Sequence, residues 1–237
     1  MKYDFHIHTA LSPCGDNDMT PNNIVNMAYL KGLEAIAVTD HNCAKNAAAV
    51  IEAGKNVGIT VIPGMEIESS EEIHIVSLFP HIDAALEAEK YVFSHLPKIK
   101  NREDIFGEQL IMDSDDNVVG KEEQMLITAA ALDIFAVFDM VKSLGGVCYP
   151  AHVDRHSYSV LSNLGFIPPE LKTSFIEISK NVDNPEEYVK NKGLLRYKVI
   201  RSSDAHYLGD ISEAVNDIEV LGNSTKNLLS YFTEMTV

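Results

Sequence analysis

The chain has 237 residues, 46% hydrophobic and 23% charged, a balance that supports a substantial core and excludes collagenous, disordered and coiled-coil classes. Its formal charge of −16 leaves no electrostatic footprint for gripping long nucleic acid or an anionic membrane, although divalent ions bound in a site can reverse the local field for a compact anion. Cys14, Cys43 and Cys148 form no pair motif, and with no apolar leader they read as reduced thiols of a cytoplasmic protein that spans no membrane.

Strand and helix signals alternate from the start: a strand over 3–7, a helix over 21–31, a strand over 35–39, a helix over 44–57 and a strand over 60–67. Thr20-Pro21 supplies an N-cap followed by proline at the first helical position, and Gly32, Gly54 and Gly58 carry stop signals. This βαβ rhythm predicts parallel pairing through right-handed crossovers. A strand over 73–79 and a helix over 83–96 follow, closed by Pro97. The rhythm then lapses, and an insertion at about 97–126 contains a small hairpin around Ser114-Asp115-Asp116. It resumes with a helix over 134–144, a strand over 147–149, a helical stretch near Ser159, a strand over 174–178, a helix over 185–192, a strand over 197–201 and a last helix from about Ser224. No linker or repeat divides residues 1–237, so they are expected to form one α/β domain with an excursion.

Of nine histidines, six fall on or just after a predicted strand: His6, His8, His41, His74, His152 and His206. In a parallel barrel the carboxyl ends of the strands share one face, so these side chains converge. Asp40, Glu66 and Asp204 occupy the same places, with Asp16 and Asp18 in the first loop. His6-Ile7-His8 sets two imidazoles at i and i+2 on one face of an extended segment, a spacing that suits two ligands of one metal. Taken alone, such a pair is more often a hydrogen-bonded strand pair; the accompanying set shifts the reading toward a metal site.

The ordered motifs HIHTALS at 6–12, AVTDHN at 37–42, GMEI at 64–67, HIVSLF at 74–79, PAHVDR at 150–155 and SSDAH at 202–206 resemble the PHP (polymerase and histidinol phosphatase) superfamily of metal-dependent phosphoesterases. The resemblance implies a distorted seven-stranded, TIM-like (β/α) barrel and a site for two or three divalent metal ions. His6, His8, Glu66 and Asp204 would surround a first metal. Glu66 would bridge to a second held also by His74 and His152, and His41 and His206 would hold a third with a residue of the first loop. Counting back from Thr20-Pro21 favours Asp16 for that residue; counting forward from His8 favours Cys14. Imidazoles and carboxylates suit zinc, iron or manganese alike.

Asp40, pointing to the opposite side of its strand from His41, is expected to accept hydrogen bonds behind the ligands. Arg155 and His156 are candidates for holding a substrate phosphate, with a surface salt bridge as the plainer reading. No role is expected of His81 or His95, and Lys45 is read as surface. The implied activity is hydrolysis of a phosphate ester by a metal-activated water, on a small phosphomonoester or nucleotide-type substrate. The alternatives are an exonuclease acting on short oligonucleotide ends and a non-catalytic metal-binding domain. The insertion is expected to cap the ligand end of the barrel. Nothing in the sequence speaks to oligomeric state.

Overall fold

The computed structural model describes residues 1–220, 222 and 224–233. In chain order the elements are β1 Tyr3–Ile7, α1 Pro21–Leu30, β2 Ala35–Val38, α2 Ala47–Val57, β3 Thr60–Glu68, β4 His74–Leu78, α3 Ile82–His95, α4 Glu103–Phe106, β5 Leu110–Met112, β6 Val118–Lys121, α5 Ile134–Ser143, β7 Val147–Pro150, α6 Val160–Asn163, β8 Phe175–Glu177, α7 Pro185–Asn191, β9 Lys198–Ile200 and α8 Thr225–Thr233. Local chemistry sets the helix starts. Thr20, His81, Asp133, Ser159 and Asn184 each accept a backbone N–H of the following first turn, satisfying donors the helix cannot.

Five strands form one sheet in the order β1-β2-β3-β4-β7, and β8 and β9 form a parallel pair beside it. The sheet curls until its last segment meets its first: His8 donates to the carbonyl of Ala205, and Ala205 to that of His6. Among the described residues seven strands thus line the barrel expected from the sequence, with the β5–β6 hairpin standing apart. Strand β2 shows how it is filled. Ala35 and Ala37 face an inner core with Phe5, Ile62 and Tyr149, while Ile36 and Val38 face outward onto α1 and α2. Phe232 of α8 packs on Phe5, Tyr149 and Phe175, closing the barrel opposite its histidine end.

The expected all-parallel pairing holds for β1-β2-β3 and is corrected at β4, which is antiparallel to both β3 and β7. Residues 69–73 are too few for a helical crossover, so the chain folds back as a hairpin. His74 therefore begins its strand yet lies at the same barrel end as Glu66, in register with Glu68. A second correction concerns Gly54, which lies within α2. A Cβ there would stand 2.6 Å from Val61 Cγ2, so the glycine permits close helix–strand packing, and Gly58, left-handed at φ 79°, ends the helix.

The insertion abuts the ligand end of the barrel along the loops after β1 and β2. Leu110 N–H donates to the Ala10 carbonyl, and the Asn46 amide both donates to the Leu110 carbonyl and accepts from Met112 N–H. Leu110 and Met112 pack on Ala10, and Leu126 packs on Leu11 and Cys43. At Gly107 the backbone comes so close to Pro13 that a Cβ would lie 2.3 Å from its carbonyl oxygen. Among the described residues no hydrogen bond runs from the insertion to the histidine cluster.

Candidate metal centre

Glu66 lies at the centre of the barrel mouth, 1% exposed and surrounded by imidazoles. Its Oε1 is 2.9 Å from His74 Nδ1, 3.1 Å from His152 Nε2 and 3.2 Å from His6 Nε2. Its Oε2 is 3.1 Å from His41 Nδ1 and 3.4 Å from His8 Nε2. Asp204 Oδ1 stands 3.1 Å from His8 Nε2 and 3.4 Å from His6 Nε2.

Three groups of donor atoms, each within 4.8 Å of one another, could hold an ion: His6, His8, Glu66 and Asp204; His41, Glu66 and His74; and His8, His41 and His206. The first is the set expected for a first metal. The second shares Glu66 and His74 with the expected second set; His152 reaches Glu66 as well, while His41 completes the group. In the third, His8 stands where a loop residue was expected. The donor chemistry fits divalent ions: the Nε2 atoms of His6 and His8 lie 3.2 Å apart, and Glu66 Oε2 and His152 Nδ1 are buried without a hydrogen-bond partner.

Electrostatics follow from this crowding. Burial by itself would raise the Glu66 carboxyl, but the His74, His6 and His41 imidazoles outweigh it and hold the group well below the usual carboxylate range. Burial likewise works against protonated His8, yet Asp204 and Glu66 raise it to about 9. His206 goes the other way, lowered to about 4 by burial and by His8.

The supporting contacts decide which ring nitrogen faces the cluster. Asp40 accepts from Thr9 N–H, the Thr9 hydroxyl and the Ser12 hydroxyl, so it serves behind the ligands as expected. With its proton given to Asp40, Ser12 Oγ accepts from His8 Nδ1 at 3.0 Å, leaving His8 Nε2 to face inward. His206 Nδ1 lies 3.0 Å from the carbonyl of Asp204, two residues earlier. Sequence reasoning missed three contributors: Ser12; Glu177, bonded to His6; and Tyr158, whose ring stacks on His74 with centroids 4.8 Å apart. A lone acid in the apolar run Phe175-Ile176-Glu177-Ile178 was the available signal for the second.

The structure does not bring Asp16 to the cluster. Its carboxylate accepts the N–H of Asp18 within its own loop, the ordinary use of an aspartate in a turn. Cys14 is exposed as a residue, yet burial of its thiol and the nearby Glu66 carboxylate push that thiol up to about 12. Arg155 does reach the site: its Nη2 pairs with Asp204 Oδ2 while the side chain stays 41% exposed. His156 is exposed on the same turn. His81 caps a helix, and His95 contacts its own helix backbone at Tyr91. Lys45 pairs with Glu122 of the insertion, and Arg201 donates to the carbonyls of Ser179 and Val182.

The PHP domain profile matches residues 4–160. The chain is 36% identical over 91 residues to an uncharacterised protein of Methanocaldococcus jannaschii, covering 35% of this chain and 53% of that one. It is 35% identical over 97 residues to a 5'-3' exoribonuclease of Haemophilus influenzae, covering 38% and 34%. With a phosphoribosyl 1,2-cyclic phosphate 1,2-diphosphodiesterase of Eggerthella lenta it shares 29% identity over 80 residues, covering 32% and 29%. The matches thus span about half of these curated relatives or less. Among solved structures, a lesion-specific endonuclease of Pyrococcus furiosus superposes with a TM-score of 0.70 at 16% identity, over 99% of this chain and 56% of that one. A candidate metal-dependent phosphoesterase of Bifidobacterium adolescentis gives 0.62 at 17%, over 99% and 96%. An endonuclease Q bound to a 27-mer duplex gives 0.66 at 15%, over 99% and 56%. At these identities the structures share the fold. Among the described residues no helix is long and apolar enough to cross a membrane.

Proposed function

The chain belongs to the PHP domain family, and from that premise we propose that it hydrolyses phosphate esters at a site for two or three divalent ions of zinc, iron or manganese. The reading takes residues 1–237 as one catalytic unit acting on a small phosphomonoester or nucleotide-type substrate. The observation that carries it is Glu66, a single buried carboxylate within 3.4 Å of five imidazoles. Divalent ions held there would lower the pKa of a bound water and neutralise charge developing on the phosphoryl oxygens.

The chain's own residues do the rest. His6, His8, His41, His74, His152 and His206 provide neutral donors, while Glu66 and Asp204 supply the negative charge that keeps cations at the mouth. Arg155 is tethered to Asp204 through one nitrogen, which leaves further guanidinium donors for a phosphate oxygen, and exposed His156 lies next to it. Tyr158 is 46% exposed, so the ring face away from His74 offers a flat apolar surface beside the reacting phosphate. That surface suits a planar leaving group such as a nucleoside.

A second reading, an exonuclease acting on short oligonucleotide ends, draws support from the relative named as an exoribonuclease. The insertion beside the first two loops would then obstruct the middle of a polymer while leaving an end free to enter. A non-catalytic role is disfavoured because every expected imidazole and carboxylate position except the loop ligand is filled by a residue able to coordinate.

The test is a screen of purified protein, with each of several divalent metals, against phosphate monoesters, nucleoside bisphosphates, short oligonucleotides and a circular single strand. Metal-dependent release of phosphate from the small substrates is expected. No turnover with any metal would overturn the reading, and efficient cleavage of the circle would overturn its restriction to small substrates and ends.

A further inference from the structure

Glu177, at the end of β8, is 1% exposed, and it touches two strands that carry different members of the cluster. Its carboxylate oxygens lie 3.0 and 3.1 Å from His6 Nδ1 on β1. Its Oε1 also accepts the backbone N–H of His152 at 3.1 Å, and its carbonyl accepts that of Val153 at 2.8 Å. Two consecutive amides just after β7 are thus held by one residue. The backbone there is strained, since His152 has φ 27°, a conformation a non-glycine residue keeps only when its surroundings enforce it.

The consequences converge on Glu66. A carboxylate bonded to Nδ1 fixes His6 as the Nδ1–H tautomer, prevents rotation of its ring and turns the Nε2 lone pair toward Glu66 and Asp204. The same carboxylate sets the backbone from which His152 Nε2 reaches Glu66 Oε1. Nδ1 of His8 faces a hydroxyl, Nδ1 of His206 a carbonyl, and Nδ1 of His152 has no hydrogen-bond partner. Among the described residues, no other carboxylate hydrogen-bonds the nitrogen of a cluster imidazole that points away from Glu66.

We infer that Glu177 is a positioning residue that couples the metal position of His6 to that of His152, so that the two fill as one unit. The inference rests on the metal-centre reading above.

Its test uses the full chain, stripped with chelator and titrated with Co2+ alone. Bound metal is counted by elemental analysis, and coordination is followed by the visible absorption of the cobalt. In the wild-type protein the two coupled positions should fill in a single transition of two equivalents, whether or not a third ion binds separately. Glu177→Ala should split this into separate steps and weaken both by about 10- to 100-fold, the usual effect of removing such a partner. Glu177→Gln, whose amide oxygen can still accept from His6 and His152, should restore the single transition at lower affinity. A folded Glu177→Ala protein that titrates like the wild type, or loses one equivalent while the other is untouched, overturns the coupling. Should Glu177→Ala fail to fold, Glu177→Gln decides: unchanged affinity overturns the inference. A wild-type protein that binds no metal overturns the underlying reading instead.

Discussion

Arg155 Nη2 stands 2.5 Å from Asp204 Oδ2, so its guanidinium is anchored to a carboxylate that also contacts His6 and His8. If its remaining donors hold the substrate phosphate, Arg155→Ala should raise KM by about 10-fold or more while metal content changes little, since a guanidinium adds charge-assisted hydrogen bonds but no lone pair for an ion. Elemental analysis beside steady-state kinetics separates the two effects. A variant that loses metal with KM unchanged would assign Arg155 to the centre itself.

Protein purified without chelator should carry more than one transition metal per chain. Glu66→Ala should lose more of it than His206→Ala, because Glu66 belongs to two of the three donor groups and His206, whose side chain is 22% exposed, to one. Metal near zero in the wild type, with no uptake on reconstitution, would refute the metal centre.

In the first loop, Asp16→Asn should leave metal content unchanged, because among the described residues Asp16 belongs to none of the three donor groups and one of its carboxylate oxygens accepts the N–H of Asp18. Cys14→Ser should likewise leave occupancy of the third position unchanged, because burial and the Glu66 carboxylate push the thiol up to about 12 and keep it protonated. Loss of metal in either variant would place that side chain among the ligands.

Metal uptake should release protons. In the metal-free protein His8 is raised to about 9, burial being outweighed by Asp204 and Glu66, so at pH 7 an ion must displace its proton. Apparent affinity should therefore rise with pH between 7 and 9. Calorimetry of metal binding in buffers of different ionisation heat reads the protons directly, and an affinity flat across that range would contradict the assignment.

Tyr158 distinguishes substrate types. Tyr158→Ala should raise KM for a nucleoside monophosphate several-fold yet leave glycerol phosphate nearly unaffected, with Tyr158→Phe close to wild type, because stacking needs the ring and not the hydroxyl. Equal losses on both substrates would mean that the ring merely covers His74.

The alternation of apolar strands with capped helices made nearly every element readable, down to the turn in the inserted hairpin, where Asp113 accepts from Asp115 and Asn117. The histidines were readable because ligands gather at strand ends. The reversal at β4 was harder to see: hydropathy is the same whichever way a strand runs, and only the shortness of residues 69–73 carried the direction. Glu177 and Tyr158 were not foreseen because their roles arise from contacts across distant segments; Glu177 and His6 are 171 residues apart, whereas Ser12 is only four residues from His8 and its hydroxyl is turned by Asp40. The loop position stayed open since spacing alone does not tell which of two nearby side chains turns inward.

The hairpin that reverses β4 also divides assembly of the centre in time. Glu66 and His74 are eight residues apart and meet as soon as that hairpin closes, whereas His8 and Asp204 are separated by 196 residues. During synthesis the Glu66 carboxylate can therefore acquire a neighbouring imidazole early, while the donor group of His6, His8 and Asp204 awaits emergence of the segment after β9. A ribosome-bound chain halted before residue 200 should hold only a partial ligand set, so full metal loading is a late event that reports a closed barrel.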